Sequence, residues 1–150
     1  MYTDKLKQLE YRYEYKQKDA AKKLGISASL YSSYKKEKKI MPIKHLNTLC
    51  NFYHISIDYI FSLNKKTKYN GSKEMIDKKL LSLRLKDFRK ENKLTQEKLA
   101  EILNIGKGTI AEYERGNYII STTSLYTICK NYNISADYLL GKIDNPKYLK

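Results

Sequence analysis

The chain has few of the residues that build disulfides, metal sites or membrane spans. Its 150 residues include two cysteines, Cys50 and Cys129, two histidines and no Cys-x-x-Cys motif, so neither a disulfide framework nor a zinc site is expected. No stretch approaches the ~18–20 consecutive apolar residues of a transmembrane helix, and the first residues lack the apolar core of a secretory signal. We therefore expect a soluble, cytoplasmic protein with no metal and no cofactor.

Acidic residues are also scarce relative to basic ones. The 16 Asp and Glu residues stand against 30 Lys and Arg residues, which gives a formal net charge of +14. An excess this large favours a polyanionic partner, either nucleic acid or an anionic membrane surface. Because 41% of the residues are hydrophobic, the chain can still bury a core, which excludes a disordered tail.

What the chain does contain is an internal repeat. A shift of 79 positions lays residues 6–61 on residues 85–140 without a gap. The identical pairs include Gln17/Gln96, Ala21/Ala100, Cys50/Cys129, Ser56/Ser135 and Asp58/Asp137. The pairing predicts two tandem domains, at residues 1–64 and 76–150, joined by a polar, basic linker at residues 65–75. Because both cysteines occupy the same position on an apolar stripe, we expect them to be buried.

Apolar spacing and helix-capping residues predict the same five helices in each repeat and no strand. In repeat two, Thr95, Ser121 and Ser135 are expected to cap helices at their N-termini. Gly116 and Gly141 are expected to end helices. The fold class is therefore all-α, with two five-helix domains in tandem.

The second and third predicted helices of each repeat have the spacing of a helix-turn-helix. Ala100 and Ala21 supply the small residue that is needed where the two helices cross most closely. Asn104 and Gly25 occupy the turn, and both residue types tolerate a left-handed backbone. In this geometry the second helix of the pair is the one that enters the major groove of DNA.

With these residues the chain resembles the lambda-repressor-like family, the Cro/CI-type or xenobiotic-response-element regulators. Residues 94–116 match the core pattern of that family almost position by position, and residues 133–141 and 54–62 resemble its fifth helix. The resemblance implies a sequence-specific transcriptional regulator of bacterial or phage type that binds double-stranded DNA. It implies a repressor, not an enzyme, that inserts the third helix of each repeat in the major groove. It permits a homodimer without requiring one, and it implies no membrane partner.

The resemblance also implies which residues contact DNA. In repeat two they are Gln96, Lys107, Gly108, Thr109, Glu112, Arg115 and Asn117. In repeat one they are Gln17, Ala28, Ser29, Ser33, Lys35 and Lys36. Gln96 is expected to hydrogen-bond a phosphate while bracing the recognition helix, and Glu112 to accept a hydrogen bond from a cytosine amino group.

Repeat one is the degenerate copy of the pattern. Lys16 stands where repeat two has the capping Thr95, and Glu37 stands where it has Gly116. Its reading face has small side chains, and the lysine-rich run 35–39 follows it. We therefore expect repeat one to position the protein on DNA and repeat two to specify the sequence.

The linker and the degenerate repeat one leave two interpretations open. The segment 62–79 would have an r.m.s. reach of about 21–25 Å if flexible and of about 60 Å if fully extended, so that one chain could span two half-sites ~34 Å apart and replace a homodimer. Tyr69 within it is expected to be exposed. The alternative is a protein-interaction module, antitoxin-like or antirepressor-like, in which repeat one is a docking domain. Binding to DNA weakens steeply with salt, whereas a docked protein complex persists at high salt.

Overall fold

A computed structural model describes residues 1–13 and 17–149, and within these residues it contains helices and no strand. The helices of the first half are α1 (Thr3–Tyr13), α2 (Gln17–Leu24), α3 (Ala28–Lys35), α4 (Ile43–Phe52) and α5 (Ile57–Ile60). Those of the second half are α6 (Lys78–Glu91), α7 (Gln96–Leu103), α8 (Lys107–Arg115), α9 (Thr122–Tyr132) and α10 (Ala136–Leu139). The predicted all-α fold class is confirmed. The expectation that Lys16 replaces a helix cap lies outside the described residues.

The predicted helix ends of repeat two are present. The side chain of Thr95 accepts a hydrogen bond from the backbone N–H of Lys98 at the start of α7, and Ser121 and Ser135 cap α9 and α10 in the same way. Gly116 follows α8 with a φ of 79°. These caps are local to the sequence, because each satisfies an N–H or C=O group that the helix itself leaves unpaired.

Each repeat buries its own apolar stripe. Leu85 and Phe88 of α6 are almost fully buried, and the ring of Phe88 meets that of Tyr132 edge-on at 4.9 Å between centroids. Cys50 and Cys129 are both fully buried and free. Burial raises the pKa of both thiols, so they are neutral packing groups, as the repeat predicted.

An ion pair joins the first and third helices of each repeat, with its charges reversed between the two. In repeat two Arg89 of α6 donates from Nε to Glu114 of α8 at 2.7 Å and from Nη2 at 2.9 Å. In repeat one the equivalent positions hold Glu10 and Lys35, which also form an ion pair. The Arg89 and Glu114 side chains are only 12% and 5% exposed. Buried charges need a partner of opposite sign, so the reversal of one charge is matched by reversal of the other.

The two repeats pack directly against each other through the N-termini of their shortest helices. Asp137 of α10 accepts from the backbone N–H groups of Ile57 at 3.1 Å and Asp58 at 2.7 Å, which open α5. Asp58 in turn accepts from the N–H of Ala136 at 2.6 Å and from the Ser135 hydroxyl at 2.5 Å. Each repeat therefore caps a helix of the other, because its aspartate side chain accepts hydrogen bonds from N–H groups that the short helix leaves unpaired.

A second polar contact closes one side of this interface. The ammonium group of Lys142, which is 2% exposed, donates to the side-chain oxygen of Asn47 at 2.5 Å and to that of Asn51 at 3.2 Å, both on α4. Burial lowers the pKa of Lys142. Elsewhere in the interface, the ring of Phe61 packs edge-on against that of Tyr126 at 5.3 Å.

The segment between the repeats is hydrogen-bonded to both of them and does not act as a free tether. Lys73 N–H donates to the carbonyl of Lys142 at 2.8 Å, and the side chains of Asn47 and Asn51 donate to the carbonyl of Glu74 at 2.9 and 2.8 Å. Residues of the 65–75 segment are thus fastened to both repeats. The two halves are held by the interface itself, and segment length does not set their separation.

The position of Tyr69 is a correction. It was expected to be exposed, but its side chain is 3% exposed and its hydroxyl donates to Asp58 at 2.8 Å. Its burial was not evident from the sequence, because the neighbouring residues Lys68 and Asn70 are polar and exposed. Tyr69 therefore belongs to the interface and ties the linker to the carboxylate at its centre.

No helix in the described part of the chain is both long and apolar enough to cross a bilayer.

The buried ion pair of repeat two predicts a large loss of stability when one partner is neutralised. Glu114→Gln removes the negative charge and one of the two oxygens that accept from the Arg89 guanidinium, and the free energy of unfolding should fall by about 3–5 kcal/mol. Urea denaturation measures this. The matched control is Glu101→Gln in the exposed Lys98–Glu101 pair, which should change stability by less than about 0.5 kcal/mol. Equal effects of the two substitutions would contradict the account.

The reciprocal caps predict a specific pH dependence. Burial, and then the charge of Asp58, raise the pKa of Asp137. Its contribution to stability is therefore complete below the ordinary pKa of an aspartate, ~3.9, and is lost as the pH rises through the elevated folded-state pKa.

Asp137→Asn should accordingly destabilise the protein most at pH 5, and the difference from the wild type should shrink towards pH 9. Urea denaturation at a series of pH values measures it, with the exposed Asp87→Asn as control. A difference that grows with pH would show that Asp137 acts as an ordinary ionised carboxylate.

Candidate nucleic-acid interface

A helix-turn-helix is present in both repeats, at α2–α3 and at α7–α8. Asn104 ends α7 with a φ of 55°, and Gly25 follows α2 with a φ of 70°. Both are left-handed, as their residue types predicted. Ala100 and Ala21 are 3% and 2% exposed, which places the small residue inside the helix crossing. The turn then continues into the core at Ile105, whose N–H bonds the carbonyl of Ala100 at 2.9 Å.

The outer face of α8 is an open surface. Gly108 leaves free space, since a Cβ atom built there meets nothing within 4 Å. Lys107 opens the helix and is exposed. The depression along this face is lined by Gly106, Gly108, Thr109, Glu112, Tyr113, Tyr118 and Ile119. Three residues predicted from the sequence, Gly108, Thr109 and Glu112, are therefore together, and Tyr118 is 64% exposed beside them.

Glu112 also forms a network with two further predicted residues at the end of α8. Glu112 accepts from the amide of Asn117 at 2.7 Å and also pairs with Arg115. The hydrogen bond from Asn117 and the contact with Arg115 lower the pKa of Glu112. The Glu112 carboxylate is thus ionised and held in place on the outer face of α8, and it offsets the positive charge of Arg115.

The equivalent face of repeat one has a different chemistry. Its depression along α3 is lined by Gln17, Ala28, Ser29, Ser32, Ser33, Lys36 and Lys38. No carboxylate is among these lining residues, and Lys36 and Lys38 are exposed. Lys35 differs from the other predicted contacts, because its ammonium group turns inward to Glu10.

Gln17 and Gln96 brace the helices that follow them. The side-chain amide of Gln17 donates to the carbonyl of Ala28, the first residue of α3, at 3.3 Å. That of Gln96 donates to Glu114 of α8, also at 3.3 Å. Both glutamines are half-buried. The bracing that was expected of Gln96 is present in the structure, and its contact with phosphate stays a prediction.

Sequence reasoning missed Ser32 and Lys38 in repeat one. Lys38 was visible in the lysine-rich run but was treated only as part of it, although it is the positional equivalent of Asn117.

The lysine-rich run is interrupted by Glu37, which adopts a φ of 54°. Its carboxylate accepts hydrogen bonds from Tyr2 N–H at 3.1 Å and from the Thr3 hydroxyl at 3.0 Å, at the start of α1. Glu37 therefore caps a helix, which accounts for its presence where repeat two has Gly116.

Fold and surface together define a tandem helix-turn-helix protein. Comparison with known families agrees: a helix-turn-helix domain family matches residues 83–145, and a second helix-turn-helix family matches residues 7–60. The chain is 33% identical over 82 residues to the Bacillus subtilis protein "Uncharacterized HTH-type transcriptional regulator YobD", an alignment that covers 52% of this chain and 73% of that protein. The chain belongs to the helix-turn-helix transcriptional regulators of the Cro/CI-like kind.

Two other relatives are matched over shorter shares of their length. The HTH-type transcriptional regulator ImmR of Bacillus subtilis is 44% identical over 62 residues, which is 41% of this chain and 49% of ImmR. The antitoxin PezA of Streptococcus pneumoniae serotype 4 is 32% identical over 69 residues, which is 45% of this chain and 44% of PezA. The chain thus spans about half the length of ImmR and less than half of PezA.

Proposed function

We propose that the chain is a transcriptional regulator that binds double-stranded DNA with α8 and α3 in the major groove. The observation that carries the proposal is the pair of equivalent open faces, one on each of these helices, each backed by a glutamine brace. A net charge of +14 supplies the attraction to a polyanion. The protein then acts by occupying a promoter, as a repressor in the cytoplasm, and needs no catalytic group.

In repeat two, specific reading of bases is the proposed role of α8. Lys107 lies at the exposed N-terminal end of the helix, where side chains reach base edges, and its ammonium group suits guanine or a phosphate. Glu112, held by Asn117 and Arg115, presents an acceptor to a cytosine amino group. Gln96 is the first residue of α7, and its side-chain NH2 group has a second N–H for a phosphate while the first donates to Glu114 of α8.

In repeat one, phosphate binding is the proposed role. Ala28, Ser29 and Ser33 offer short side chains to the groove, whereas Lys36 and Lys38 stand at its edge without a carboxylate in the lining. Lysine binds phosphate as a point charge, and the short side chains of α3 leave this repeat few contacts with base edges. The proposed contacts of repeat one exclude Lys35, whose charge is engaged by Glu10.

A second candidate is the docking of a partner protein. Similarity to a protein named antitoxin favours it, together with an apolar groove between the repeats that is lined by residues 40–44 and 119–123. A complex of this kind would persist at high salt, whereas DNA binding weakens with a slope of about −0.9 per neutralised phosphate on logarithmic axes.

Selection of a random duplex pool on the purified protein, followed by footprinting, tests the proposal. An enriched sequence with a protected region is expected. On that duplex Lys107→Ala should weaken binding by about 1–3 kcal/mol, whereas Lys86→Ala, an exposed lysine on α6, should have little effect. No enrichment above a salt-sensitive background would overturn DNA reading and leave the docking function.

A further inference from the structure

The contacts between the repeats obey an approximate two-fold relation. Asp58 bonds the N–H of Ala136, and the contact obtained by exchanging the repeats, Asp137 with the N–H of Ile57, is also present. The groove between the repeats is lined by residues 40–44 and 119–123, the same five positions of each copy. An interface in which residue i meets j and the equivalent of j meets the equivalent of i is that of a two-fold dimer.

This relation fixes how the two recognition helices meet DNA. A flexible tandem chain could place its heads on half-sites in either relative direction. Heads related by a two-fold axis present α3 and α8 in opposite directions along the duplex, as in dimers that bind palindromic operators. The linker does not relax this constraint, because Lys73 and Glu74 are hydrogen-bonded to the interface.

The hydrogen bonds of Asp58 and Asp137 follow the two-fold relation, but several side chains at equivalent positions of the interface differ. On one side, Lys142 donates to Asn47 and Asn51. The positional equivalents of these residues are Leu63, Tyr126 and Lys130. If repeat two paired with a second copy of itself, the buried Lys142 ammonium group would meet Tyr126 and Lys130 in place of two amide oxygens. A buried charge without a partner is strongly unfavourable.

Pairing of repeat one with a second copy of repeat one is disfavoured for a related reason. The side-chain oxygens of Asn47 and Asn51 would then face Leu63, which has no donor. Each repeat therefore pairs best with the other repeat of its own chain, and the α5 and α10 surfaces that could join two chains are already covered.

The two reading faces also differ position by position. The pairs are Lys107/Ala28, Gly108/Ser29 and Glu112/Ser33. Two heads with different side chains at equivalent positions do not select the same bases.

We infer that a single chain binds duplex DNA as a monomer, and that its site has two unlike half-sites in inverted orientation at a fixed spacing. The inference rests on the proposed function. It restricts the DNA further, since it excludes direct repeats and true palindromes as best sites.

The test uses the full chain and the duplex obtained by selection, with four rearranged duplexes of matched base composition. One reverses a single half-site, one inserts five base pairs between the half-sites, and two are palindromes built from either half-site alone. Native mass spectrometry gives the stoichiometry, and fluorescence anisotropy gives the affinities.

One chain per selected duplex is expected. Reversal of a half-site and the five-base-pair insertion should weaken binding by about 100-fold or more, because the second head is lost. Each palindrome should weaken it by at least about 10-fold, because one head then faces the wrong bases. Equal binding to the direct arrangement, or two chains on a palindrome with affinity equal to that for the selected site, would overturn the inference while leaving DNA binding intact. Failure to select any duplex would overturn the proposed function, and this inference with it.

Discussion

The reciprocal capping of α5 and α10 by Asp137 and Asp58 is the contact on which the arrangement of the two halves depends. Both helices have four residues, too few to be stable without tertiary support. Each depends on the carboxylate of the other repeat for hydrogen bonds to its first N–H groups. Both carboxyl groups are fully buried, so separating the repeats would expose both helix ends and break the hydrogen bonds that each aspartate accepts from the other repeat.

Burial of two carboxyl groups at one interface is unfavourable unless their oxygens are hydrogen-bonded. The structure satisfies them with backbone N–H groups, the Ser135 hydroxyl and the Tyr69 hydroxyl. The Tyr69 contact explains why the linker is docked. The network spans both repeats and the segment between them, which makes the chain one unit.

Where a polar or charged residue differs between the repeats, the residue that contacts it differs as well. Reversal of the ion pair at Glu10–Lys35 keeps opposite charges together, and Glu37 replaces a glycine while it caps α1. Lys142 stands where repeat one has Leu63, and its ammonium group donates to Asn47 across the interface. These paired changes preserve the fold of each half, while making the two halves unlike and specific for each other.

Local chemistry made most of the fold predictable from the sequence. Thr95, Ser121 and Ser135 act on N–H groups three residues away, and the apolar stripes need only helical periodicity. The open faces of α3 and α8 were predictable for the same reason, because the helix-turn-helix spacing fixes which side of each helix is buried.

The interface was not predictable in this way. Asp58 and Asp137 are identical in the two repeats, yet as acidic residues in a first helical turn they are explained equally well by the dipole of their own helix. Lys142 and Tyr69 lie outside the 6–61 and 85–140 alignment. A longer comparison at the same offset would have paired Lys68 with Lys147 and Tyr69 with Tyr148, showing that the supposed linker begins as part of the repeat.

The two repeats form one rigid body, and a distance measured between them tests this most directly. Lys22 and Glu101 are exposed, equivalent positions on α2 and α7, and the native cysteines are too buried to be labelled. Pulsed electron paramagnetic resonance on the spin-labelled Lys22→Cys, Glu101→Cys variant should give one narrow distance distribution. A broad distribution, as expected of two domains on a flexible tether, would contradict the account.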